Sequence, residues 1–215
     1  MNTVGPSATQ RNTISGVVSG ALSRLQHDYL SSENHAAQAR SRGILATLRR
    51  GAGTAPEQDL VTWQQTLELV VPDLPEQFQG KGNALSPSER AIYDALTLYA
   101  LHMQSQQKPM HDRNRSFARA AGILVAKRDS ESIKPRFDAL LMVKSPSTRR
   151  HHARGLITLM RSESIGFDYG RFAEDLYRLD SPRRNSVLLA WGRDFANGRF
   201  RQDQSTVNDS AQTTN

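Results

Sequence analysis

Between Lys108 and Arg161 the chain carries thirteen Lys or Arg and only four Asp or Glu, a net +9 against +7 for all 215 residues. Most of these bases are Arg, whose planar fork of donors matches a phosphate group. Gathering like charge costs self-repulsion, so a segment this basic implies a surface that faces a polyanion. The residues on either side of it are, taken together, slightly acidic. Patterns for other chemistry are missing. No G-x-x-x-x-G-K-[ST] occurs, and Gly80-Lys81-Gly82 reads as a loop fragment. No H-E-x-x-H occurs, and adjacent His151 and His152 would diverge by about 100° on a helix, so they make no simple metal pair. His111-Asp112 alone is not a catalytic pattern, and the histidines read as surface or phosphate-neighbouring groups. Glu174-Asp175 reads as a solvated helix face. Without cysteine, disulfides and thiolate metal sites are excluded. The expectation is a binding protein, not an enzyme, with no cofactor and no metal.

The elements that must position these charges read as helices. Ser86-Pro87-Ser88-Glu89 is a capping box with Pro at the first helical position. Ser145-Pro146 and Ser181-Pro182 repeat the Ser-Pro start, and Asp168 is a fourth candidate cap. Apolar residues follow each start at three- and four-residue steps: Ile92, Ala95, Leu96, Tyr99 and Met103; Ala153, Leu156, Ile157 and Met160; Phe172, Leu176 and Leu179; Leu188, Trp191 and Phe195. The last helix is expected to end before Gly198. Weaker helices are expected at 16–30, 34–50, 56–70, 116–128 and 132–143. Strand signals are poor, with no alternating Val/Ile/Thr runs and no Asn-Gly or Asp-Gly hairpin. The expected fold is all-α, a packed bundle of roughly eight or nine helices over 14–201. The Pro- and Gly-bearing connector 71–85 is a candidate boundary between an N-terminal helical layer and a C-terminal bundle.

Nine residues are the candidate phosphate contacts. On the helix after Ser145, Arg150, Arg154 and Arg161 fall within about 40° of one another and form a column at the rim of the apolar face, widened by Arg149. Arg115 and Arg119 stack if their helix starts a residue early. Lys127 and Arg128 close that helix, where cations complement the dipole. Arg136 sits in a first helical turn, where a dipole argument fails and a partner gains weight. Arg40, Arg42, Arg49 and Arg50 form a second cluster, read as a solvated face because its neighbourhood is otherwise acidic. Phe117 and Phe137 read as core, so the segment lacks platforms for base stacking. The expected mode is sequence-independent contact with the backbone of nucleic acid.

The ends, 1–13 and 202–215, are small and polar and are expected to be disordered. No apolar run reaches the roughly 18–20 residues of a membrane span. A pI near 10.1 and a mean hydropathy of −0.58 suit a polar protein with a polyanionic partner. A cytoplasmic location is expected.

Six segments in order, Leu98-Tyr-Ala-Leu-His102, Ser116-Phe-Ala-Arg-Ala120, Pro135-Arg-Phe-Asp-Ala-Leu-Leu141, His152-Ala-Arg-Gly-Leu-Ile157, Asp168-Tyr-Gly-Arg-Phe-Ala-Glu-Asp-Leu176 and Trp191-Gly-Arg-Asp-Phe195, resemble the CasB family, the small subunit of the type I-E CRISPR Cascade surveillance complex. Arg49-Arg50-Gly51 after a helix is also similar. The resemblance covers roughly 20–200. It implies an all-helical, non-catalytic subunit of the guide-RNA-containing complex, present in more than one copy. Its partners would be the backbone and large subunits, a second copy of itself, and the target or displaced single-stranded DNA of the R-loop. It places the DNA contacts on Arg119, Arg136 and Arg154; Arg115, Arg149, Arg150 and Arg161 rest on helix geometry alone. Two other readings stand beside it: a protein scaffold that bridges subunits without touching nucleic acid, and a free-standing helix-turn-helix regulator.

Overall fold

The computed structural model describes residues 13–31, 33–128 and 132–200, so the expectations for 1–12 and 202–215 lie outside the described residues, while Thr13, expected in the disordered end, caps the first helix by accepting from the Gly16 amide at 3.0 Å. The protein is all-α. Nine α-helices lie among these residues: α1 (Ile14–Leu30), α2 (His35–Arg50), α3 (Leu60–Val70), α4 (Pro87–His102), α5 (Phe117–Arg128), α6 (Ile133–Met142), α7 (Pro146–Ser162), α8 (Tyr169–Leu179) and α9 (Arg184–Phe200). No strand occurs among them, only an isolated bridge between His111 and Phe167.

Helix α4 is the axle. Every residue from Ala91 to His102 is buried, the mark of a helix covered on all sides. Several of its polar groups find partners inside, though the Tyr93 hydroxyl and His102 Nε2 have none among the described residues. Thr97 donates to the Tyr93 carbonyl at 2.8 Å, and His102 Nδ1 lies 2.9 Å from the Tyr169 hydroxyl. Helices α1, α2, α3, α7 and α8 pack around it. The start of α4 is the capping box as expected: Ser86 accepts from the Glu89 amide at 3.1 Å, and Glu89 accepts from the Ser86 amide at 2.9 Å.

A second layer pairs α5 with α9. A Cβ on Gly122 would collide with the Phe195 carbonyl oxygen, and one on Gly198 with the Arg119 carbonyl oxygen. These two glycines let the helix backbones touch. Gly198 therefore does not end α9, which runs on to Phe200. Between the layers lies an aromatic core of Phe117, Phe137, Phe167, Phe172, Trp191 and Phe195.

Other expected starts shift or lack their side-chain cap. Helix α9 begins at Arg184, because Ser181 accepts from the Arg183 amide and forms a turn before the helix. Ser145 precedes α7, but its hydroxyl pairs with that of Ser147 and does not cap. The 56–70 segment divides at Asp59, which ends a short 3-10 turn and caps α3 by accepting from the Thr62 amide at 3.1 Å. Asp168 caps α8 as expected, accepting from the Arg171 amide at 3.0 Å.

Candidate nucleic-acid interface

The fold separates the nine candidate cations into two kinds. Arg149 and Arg150 sit on the packed face of α7, 2% and 4% exposed. Arg150 donates to Asp94 of α4 at 2.5 Å, and Arg149 to Asp180 at 2.6 Å and the Lys144 carbonyl at 3.0 Å. Burial still holds the Asp94 carboxyl up at about 6, against the pull of Arg150. The expected column of Arg150, Arg154 and Arg161 is thus corrected: a carboxylate inside the bundle draws Arg150 in. Lys127 and Arg128 converge on Glu163, at 3.0 and 2.8 Å. These cations hold that carboxyl below its ordinary range. Arg115 precedes α5, which starts only at Phe117, so it does not stack with Arg119. Its guanidinium donates to the Gly166 carbonyl at 3.0 Å and lies 3.5 Å from Asp112. Arg119 is half-buried. Arg136 is exposed on α6.

Arg154 and Arg161 remain on the outer side of α7, seven residues apart and so within about 20° of each other. Arg154 is exposed, and its guanidinium lies against Gly53, three residues beyond the end of α2. Gly53 has φ +101°, a left-handed conformation that suits glycine. Arg161 donates to the Gln104 side chain at 2.6 Å. Gln104 in turn lines a cleft with Arg42 and Arg49 of α2. Those two are also seven residues apart and share a face. Helices α2 and α7 both pack on α4, so two pairs of arginines flank it. None of the four has an ion-pair partner among the described residues. The spacing of seven between Arg42 and Arg49 is the signal that could have found them. The cluster of Arg40, Arg42, Arg49 and Arg50 read as a solvated face because acids are near in sequence, but those acids pair elsewhere: Glu57 with Arg90, Asp73 with Arg24, and Asp59 with Thr62.

Several polar groups read as surface are interior. Asp175 is buried and accepts from the Trp191 indole at 2.7 Å; burial pushes its carboxyl up to about 6. His102 is held neutral by burial, its pKa pulled down to about 3. His111 is buried too, and accepts from the Tyr169 amide at 3.2 Å. The loop carrying it is pinned by Gln26 of α1, whose side-chain oxygen accepts from the Met110 and His111 amides at 2.9 and 2.8 Å. No group of three or more metal-ligating side chains occurs among the described residues, and none of their helices is long and apolar enough to cross a membrane.

Residues 44–195 match the family model of CRISPR-associated protein Cse2. The chain belongs to the Cse2 family. Among solved structures it is similar to CasB from Thermobifida fusca, with 27% identity and a TM-score of 0.67 over 85% of this chain and 97% of that one. CasB from Thermus thermophilus shares 23% identity, with a TM-score of 0.61 over 86% and 99% of the two chains. A chain of a CRISPR RNA-guided surveillance complex shares 20% identity, with a TM-score of 0.61 over 93% and 99%. At these last two identities the likeness is one of fold. No curated protein matches the chain in sequence. The Cse2 assignment agrees with the resemblance carried by the six segments, which lie within or beside α4 to α9.

Proposed function

We propose that this Cse2-family chain is a non-catalytic small subunit of a Cascade-type surveillance complex and steadies the R-loop by gripping the phosphates of single-stranded DNA. The observation that carries the proposal is the set of four arginines without carboxylate partners among the described residues, Arg42, Arg49, Arg154 and Arg161, flanking α4. Guide RNA pairing supplies sequence identity in such complexes, so a subunit needs only backbone contacts. Arg136, exposed on α6, is a further contact. Arg149 and Arg150 support the reading from inside, by fixing α7 to α4 and to the start of the 180s turn. Lys127, Arg128 and Arg115 do the same for the loops between α5 and α8, while their outer edges add long-range positive field. The family membership and the surveillance-complex neighbour support the subunit assignment, with the backbone subunits, the large subunit, guide RNA and a second copy as partners in the cytoplasm.

The scaffold reading gives the same arginines an acidic protein neighbour. Photocross-linking of DNA to the assembled complex separates the two. Adducts on α2 and α7 peptides of this chain are expected; adducts confined to other subunits would favour the scaffold.

A further inference from the structure

The cleft between α2 and α4 holds more than charge. It encloses ≈ 330 Å³, at the small end of ligand sites. Buried Leu45, Ala100 and Met103 give it an apolar floor, and Tyr29 from the last turn of α1 forms a wall. Arg42 and Arg49 stand at its rim. A phosphate needs only the rim. An apolar floor beside an aromatic ring suits a flat, weakly polar ring, and phosphate contact alone does not call for one.

We propose that this cleft takes one unstacked nucleobase of a single strand, laid against Tyr29 while Arg42 and Arg49 hold the flanking phosphates. Three features support it. The Tyr29 hydroxyl makes no hydrogen bond among the described residues, so the ring serves no internal polar network. Its backbone is fixed, because the Gln38 side chain donates to the Tyr29 and Ser31 carbonyls at 3.3 and 3.0 Å. At the rim, Arg161 occupies the side-chain oxygen of Gln104 and leaves the amide NH2 as a donor for a base edge. Stacking tolerates any base, since each has a π-face, so the cleft adds preference for single strands without adding sequence preference. The basic segment itself contains no such platform; the fold brings Tyr29 from 79 residues before Lys108.

The inference rests on the nucleic-acid reading, and one titration separates the two. The full chain is titrated by fluorescence anisotropy with an oligo-dT strand and with the same strand carrying abasic residues throughout. The abasic strand is expected to bind about tenfold more weakly. Tyr29→Leu should remove that difference and Tyr29→Phe should keep it, each variant checked for native helicity. Equal affinity for the two strands in the wild-type chain overturns the base cleft and leaves the phosphate reading standing. Failure to bind either strand overturns both.

Discussion

Arg150 and Arg154 lie one helical turn apart on α7, and their environments make opposite demands. Arg150→Ala would strand Asp94 inside the bundle, at a cost of about 3 kcal/mol in urea unfolding. Arg154→Ala should stay within about 0.5 kcal/mol of wild type, since its guanidinium is exposed, yet weaken binding to single-stranded DNA. The sequence shows both as arginines on one stripe. It does not show that Asp94, 56 residues away, sits opposite the first and not the second. The same blindness made Asp175 read as solvated. Its carboxyl is raised to about 6 by burial, so the folded chain keeps a proton that the unfolded chain releases above about 4. That contribution to stability is full below about 4 and is lost as pH rises through about 6. Asp175→Asn can retain the Trp191 bond through its amide oxygen. Its advantage over wild type should therefore be greater at pH 7 than at pH 4 when both are unfolded in urea. His102, buried neutral in both, acts in the opposite direction and cancels in the comparison.

Helix starts with side-chain chemistry were legible. The Ser86 box and the Asp168 cap form as their residue types require. The apolar stripes of α4, α7 and α8 are buried as their spacing implies. The start at Ser145 falls where expected but without its side-chain cap, and the start at Ser181 shifts to Arg184; in both a serine oxygen turns to another nearby group, a choice their sequence does not reveal. Gly198 misled for a different reason. Near the end of an apolar stripe it reads as a stop, but here it makes room for the α5 backbone. Gly198→Ala should therefore destabilise by about 1–3 kcal/mol through overpacking, seen as a lower thermal midpoint. The exposed Gly192→Ala on the same helix, with open space around its Cβ, should be neutral or stabilising.

At the scale of the molecule, the charge imbalance was visible but its use was not. Five of the +9 segment's thirteen bases, Arg115, Lys127, Arg128, Arg149 and Arg150, are drawn into ion pairs or onto carbonyls that tie α5, α7 and the loops together. The arginines left flanking α4 come half from that segment, on α7, and half from α2. No periodicity within one helix could announce a surface shared by two. If this shared surface neutralises phosphates, binding releases the counterions of single-stranded DNA and affinity falls as salt rises. The four arginines flanking α4, with Arg136, should give single-stranded DNA affinity a log–log salt slope of about −3.5, at roughly −0.7 per contact. The triple variant R42E/R49E/R154E should lose about 2 of that slope while remaining folded. An unchanged slope and affinity in that variant would mean that these arginines touch no phosphate.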